Sequence, residues 1–211
     1  MVTLEIMDFV ERNILPRYAD FDKAHNMEHV TSVIRRTLAL AQHLGADEDM
    51  AYVIAAYHDL GIEGPRAVHH ITSGKILQAD RRLAKWFSPQ QITIMREAVE
   101  DHRASASHSP RSIYGRIVAE ADRELKPETV FSRTVMFGLD HYPDMTKEEH
   151  WKRFSEHIHD KYSVSGYIKL WIPGSQNEKD LAEIRRIIEA PAELKANFEK
   201  IWATIQSDKI Q

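Results

Sequence analysis

The chain has no cysteine among its 211 residues, which excludes disulfides, thiolate nucleophiles and thiolate zinc sites together. It also lacks an excess of positive charge: 28 Lys and Arg stand against 32 Asp and Glu, a formal net charge of −4. A reader of nucleic-acid polymers or a binder of anionic membranes needs a basic footprint that this balance does not supply. Long apolar runs are missing as well. The greasiest stretch, AYVIAAY at 51–57, falls far short of the roughly 20 residues that cross a bilayer. The opening MVTLEIMDFVERNIL carries acids where a signal peptide needs a basic region. There is no internal repeat, no low-complexity segment and no Gly/Ser linker. These absences lead us to expect a soluble, cytoplasmic protein with neither a membrane nor a nucleic-acid polymer as partner.

What is present is ordinary globular material, 43% hydrophobic and 28% charged, with a strongly helical periodicity. Leu4 to Leu15 reads as a helix stopped by Pro16. A second runs from about Asn26 to Leu44, with Val30, Val33, Ile34, Leu38 and Ala41 on one face and Gly45 closing it. A third follows Asp47 and carries Met50, Val53, Ile54, Tyr57 and His58, with Gly61 placed to end it. Ser88-Pro89-Gln90-Gln91 and Thr146-Lys147-Glu148-Glu149 read as capping boxes. Ser109-Pro110 reads as the start of a helix striped by Tyr114, Ile117, Val118, Ala121 and Leu125. Two further helical patterns lie around 178–190 and 192–207. Only Gly166–Ile172 (GYIKLWI) reads as extended, and it is too isolated to build a sheet. The expectation is an all-α fold forming a single domain, with a core over about 20–130 and a C-terminal helical extension over about 131–211.

Histidine is the unusual residue: there are 12, and eight precede Asp122. His58 continues an apolar stripe, and Asp59 beside it points about 100° away on the same helix. Burying a carboxylate next to an imidazole is costly unless both are paired or coordinate a cation. His29 stands beside the apolar face of its helix. His102 continues the stripe Ile92–Met95–Val99, Asp122 follows Val118 by four, and His70 sits where another helix begins. Metal-competent groups brought inward by several helices are how bundle-type metal sites are assembled. With imidazoles and carboxylates but no thiolate, the set suits Mn, Fe, Co, Ni or Zn better than Ca.

The segments AHNMEHV (24–30), AAYHDLGI (55–62), HHITSGKIL (69–77), EDHRAS (100–105) and AEADREL (119–125) resemble the HD-domain superfamily of metal-dependent phosphohydrolases. The ordered set H…HD…H…H…D is far more specific than any single piece. The resemblance implies a compact multi-helix bundle and one or two divalent transition-metal ions. It carries His29, His58, Asp59 and Asp122 over as ligands of a first ion. His70 and His102 would be the two further histidines of the binuclear subgroup, with Asp59 bridging. The chain reads HDLGIEGP after the pair. It therefore lacks the lysine and GYP motif of the cyclic-dinucleotide branch and the acidic pair of the alarmone hydrolases. Small bacterial single-domain HD proteins are the subgroup it is most similar to.

These readings lead to the expectation of a phosphohydrolase for a small phosphate ester such as a nucleotide, with Asp59 holding metal and taking a water proton. Arg103, next to His102, and Lys75 are the candidate substrate-binding cations, while Arg123 reads equally as a structural ion-pair partner. The same ligand set is used by the di-iron oxygenase branch similar to myo-inositol oxygenase, and a metal- or nucleotide-sensing module without turnover is a third option. His25 and His69 read as exposed neighbours of the ligands. His141, His150, His157 and His159 read as surface residues, and Trp151, Trp171 and Trp202 as packing anchors. A homo-oligomer is compatible with the sequence.

Overall fold

Among the residues described by the computed structural model, 1–21, 26–104 and 108–208, there are ten α-helices and no strand. The all-α class is thus realised, and Gly166–Ile172 links two helices without pairing to anything as a strand. The chain divides into two compact units, Met1–Arg123 and Glu124–Gln211. None of the described helices is long and apolar enough to cross a membrane.

The first unit contains α1 (Leu4–Asn13), α2 (Met27–Leu44), α3 (Glu48–Tyr57), α4 (His69–Ala79), α5 (Pro89–Asp101) and α6 (Ile113–Asp122). Local chemistry sets where they start and stop. Asn26 opens α2 by accepting the His29 N–H at 3.0 Å, and Gly45 closes it with φ 64°, a left-handed turn that favours glycine. Asp47 caps α3 through the N–H groups of Asp49 and Met50. Ser88 and Gln91 form a reciprocal capping box at α5, with Pro89 in the first turn. The start of α6 differs from expectation. Ser112, not Ser109, is its cap, accepting the Gly115 N–H at 3.1 Å. The Arg111 N–H is instead drawn to the Asp101 carboxylate at 2.7 Å, which holds the preceding residues outside the helix.

Helix α3 is the axis of this unit. Every residue from Met50 to Tyr57 is buried, and a helix apolar all round belongs in an interior. Ala51, Ala55 and Ala56 keep it slender, so α1, α2, α4, α5 and α6 all pack on it. Val53, Ile54 and Leu60 are at most 1% exposed, each burial being worth about 1.5–3 kcal/mol. The end of α3, where His58 and Asp59 stand, is therefore delivered to the middle of the unit. Gly61 does not terminate the helix, which already stops at Tyr57. It lies in the short 3-10 turn Leu60–Glu63, and its value is closeness. A Cβ there would lie 2.4 Å from the His69 carbonyl oxygen and 2.6 Å from the Ser73 nitrogen. The Gly61 N–H donates to Ser73 Oγ at 2.9 Å, so the turn after Asp59 is clasped to the first turns of α4.

The second unit contains α7 (Pro127–His141), α8 (Lys147–Tyr162), α9 (Gln176–Ile188) and α10 (Pro191–Asp208). Phe131, Phe154 and Phe198 are fully buried, with ring centroids 5.4–5.6 Å apart along the series. Trp151 and Trp202 pack on Phe198. Thr146 and Glu149 form the second capping box. That cap sets the register of α8 and corrects the expectation for His150. His150, Phe154 and Ile158 recur every fourth residue on the inward stripe, and His150 is only 2% exposed, beside Trp202 at 5.2 Å. Burial pushes its pKa down. His157 is half-buried, while His141 and His159 are exposed.

Candidate metal centre

Five helix ends meet in the first unit. His29 is the third residue of α2, His58 and Asp59 follow α3, His69 begins α4, His102 follows α5 and Asp122 is the last residue of α6. Three of these are C-terminal ends, those of α3, α5 and α6. Their partial negative charge favours a cation, against the two positive N-terminal ends of α2 and α4.

Two groups of donor atoms share Asp59. In the first, His29 Nε2 lies 3.4 Å from Asp59 Oδ2 and 3.3 Å from Asp122 Oδ1. His58 Nε2 is 3.1 Å from Asp59 Oδ2, 3.7 Å from Asp122 Oδ1 and 3.3 Å from His29 Nε2. In the second, the other carboxylate oxygen, Asp59 Oδ1, is 3.4 Å from His69 Nε2 and 3.5 Å from His102 Nε2, which are themselves 3.1 Å apart. His58, Asp59 and His102 are buried, and His29 and His69 are nearly so.

The chemistry of these donors fits a bound metal ion. The Nδ1 atoms of His58, His69 and His102 point at the carbonyl oxygens of Ala55, Arg66 and Val99, at 2.7, 2.8 and 2.6 Å. A carbonyl only accepts, so each Nδ1 carries the proton, which leaves Nε2 as the atom whose lone pair a metal ion would take. The rings of metal-ligating histidines are held in this way. The lone pairs of His69 and His102 then face each other, an arrangement favourable only with a positive charge between them. For an ion about 2.1 Å from each donor, neighbouring donors fall roughly 3.0–3.4 Å apart. Both His/Asp groups, His29 with His58 and Asp59, and Asp59 with His69 and His102, can hold an ion. Protons fill the same role otherwise. Burial alone would lower the His58 and His29 pKa values, but the Asp59 and Asp122 carboxylates outweigh it and raise both, His58 strongly. Burial would likewise raise the two carboxyls, yet the facing imidazoles hold Asp59 and Asp122 well below the usual carboxylate range.

The residues singled out in the sequence do not all arrive here. His29, His58, Asp59, His102 and Asp122 come together. His69 takes the place foreseen for His70. The buried stripe Ser73–Leu77 extends back by four to His69, whereas His70 is in phase with Gly74, which presses against Glu100 of α5. Burial, with the charges of His102, Arg103 and His69, pushes His70 down to about 4. The helical phase of Ser73 and Leu77 was the available signal for choosing between the two histidines. Lys75 is exposed and about 120° round α4 from His69. The Arg103 guanidinium donates to the Ala67 carbonyl, fastening the segment after His102 to the turn before His69. Arg123 is buried and donates to the Ala119 carbonyl, and Arg36 of α2 donates to the Ala121 carbonyl at 2.6 Å. Two guanidiniums thus occupy open carbonyls at the end of α6 and steady Asp122. The Arg36 contact was not legible in the sequence, because it spans 85 positions. Asp101, adjoining His102, is fully buried and held by Arg111 Nε at 3.0 Å. His25 lies outside the described residues.

Residues 26–125 match the family model of the HD domain. Among solved structures, a crystal structure described as a predicted HD superfamily hydrolase, from an uncultured Thermotogales bacterium, is similar. It is 20% identical, the likeness covers 74% of this chain and 86% of that chain, and the TM-score is 0.49. No curated protein matches the chain. The match to the HD domain lies over residues 26–125 and encloses every donor of both groups, from His29 to Asp122.

Proposed function

We propose that the chain is a metal-dependent phosphohydrolase acting on a small phosphate ester such as a nucleotide. The observation that carries this reading is the uneven charge of the two donor groups. The first sets two carboxylates, Asp59 and Asp122, against two imidazoles, and the second has only the remaining oxygen of Asp59 for His69 and His102. A dication held by the second group would be short of negative charge, which an anionic substrate oxygen would supply. Divalent ions bound here would act as Lewis acids and would lower the pKa of a bound water towards neutrality.

The roles of the chain's own residues follow from their contacts. Asp59 orients both groups through separate oxygens. The proton-accepting role foreseen for it is a poor match, because both oxygens face imidazoles and the carboxyl is held low. His58, His69 and His102 present fixed Nε2 atoms because their Nδ1–H groups are tied to the backbone. Arg103, already oriented on Ala67 O, is the cation we assign to the substrate anion, since guanidinium donors suit phosphate oxygens.

The test is phosphate release from a panel of small monoesters and nucleotides by protein loaded with Mn, Fe, Co, Ni or Zn. Release should be metal-dependent, lost in Asp59→Ala and weakened chiefly in KM in Arg103→Ala. Substrate-dependent oxygen uptake by the iron form without phosphate release would replace this reading with oxygen chemistry. Tight nucleotide binding without product would replace it with a sensing role.

A further inference from the structure

The metal centre has a support outside the segment matched by the HD family. Tyr18 lies in the 3-10 turn Leu15–Asp20, ahead of residue 26 where that match begins. Its side chain is completely buried, and Phe21 packs edge-on against the ring at 5.0 Å. The hydroxyl donates to the Ala56 carbonyl at 2.9 Å and accepts from the Asp59 N–H at 3.4 Å.

These two contacts fall where the chain leaves α3. A helix normally ends with open carbonyls, often closed by a left-handed glycine. Here no such glycine exists: His58 keeps helical angles and Asp59 turns out with φ −110° and ψ 7°. The open carbonyls go to side chains instead. Ala55 O takes the His58 Nδ1–H, and Ala56 O takes the Tyr18 O–H. One hydroxyl therefore joins the last turn of α3 to the backbone of the carboxylate shared by both donor groups. A hydroxyl suits this position because it donates and accepts at once.

We propose that Tyr18 is a positioning residue of the metal centre, setting the backbone of Asp59 so that its two oxygens face the two histidine pairs. This rests on reading the His/Asp cluster as a metal site. Tyr18→Phe in the full chain keeps the ring and removes both hydrogen bonds. The measurements are the dissociation constants of Zn²⁺ and Mn²⁺ by chelator competition, with the melting temperatures of metal-free and metal-loaded protein. The expected result is affinity weakened about 10-fold, the usual scale for residues that orient a ligand, and a smaller metal-induced rise in melting temperature. A lower metal-free melting temperature with unchanged dissociation constants and an unchanged metal-induced rise would overturn the proposal, leaving Tyr18 as a core residue only. Wild-type protein that binds neither ion would overturn the metal reading itself, and Tyr18's role with it. If Tyr18→Phe does not fold, replacement by 4-aminophenylalanine retains a donor for Ala56 O but offers a poor acceptor to Asp59. The same loss of affinity is expected, and wild-type affinity would refute the proposal.

Discussion

The two halves of the metal centre use the same kinds of donor and differ in how they are balanced. His29 and His58 face two carboxylates, one of which, Asp122, is steadied by guanidiniums on the carbonyls around it. His69 and His102 share a single oxygen of Asp59, and the backbone clasp at Gly61 does the positioning. The first half sets two carboxylates against its imidazoles. The second has one carboxylate oxygen and a backbone clasp. The teaching is that one aspartate makes the halves interdependent while its neighbours make them unequal.

Removing that aspartate should be the most damaging way to break the comparison. Asp59→Ala is expected to empty both halves, with metal content near zero by plasma mass spectrometry and phosphate release at background. Substitutions on either side then separate the halves. His58→Ala should abolish the tighter site, whereas His102→Ala should cost one ion and leave the other bound. Equal affinity for the ion that each variant retains would show that the halves do not differ.

A pH series sharpens the contrast between proton and metal. His29 and His58 have raised pKa values, so their contribution to metal-free stability is full below about 6.5 and is lost as pH rises through their folded values. Asp59 and Asp122 have lowered values, so theirs is present above about 3.8 and lost as pH falls through the folded ones. The metal-free melting temperature should therefore decline from pH 6 to pH 9, while loaded protein holds steady because the ion replaces the protons. A metal-free protein that becomes more stable across that range would contradict the assignment.

Gly61→Ala tests the clasp. With 2.4 Å between the new Cβ and the His69 carbonyl, the two backbones must separate, at about 1–3 kcal/mol of stability. Metal occupancy should fall in the His69–His102 half before the other, seen as a loss of stoichiometry at limiting metal. The smallest effect belongs to His70→Ala, for which unchanged metal content is expected. A lost ion there would restore His70 as a ligand in place of His69.

The helices were legible because their periodicity and caps are local: Asn26, Asp47, Ser88 and Thr146 each act within three or four residues. The donors at His29, His58, Asp59, His102 and Asp122 could be named because they recur on or beside inward stripes. What failed was phase and distance. The doublet His69-His70 is undecided until the burial of Ser73 and Leu77 fixes the rotation of α4. His150 looked like one of several scattered surface histidines until the Thr146 cap set its register with Phe154. Tyr18 and Arg36 act on carbonyls 38 and 85 positions away, and no local pattern encodes such contacts.

The Gly61 clasp also bears on how the centre assembles as the chain folds. Gly61 N–H to Ser73 Oγ closes a loop of 12 residues, while Arg36 to Ala121 O closes one of 85. Loop-closure entropy grows with the logarithm of length, so the longer closure costs roughly 2 kcal/mol more. The closure that joins the turn carrying Asp59 to the turn carrying His69 is therefore the entropically cheaper of the two. The approach of α6 to α2, which seats Asp122 beside His29, carries the larger cost.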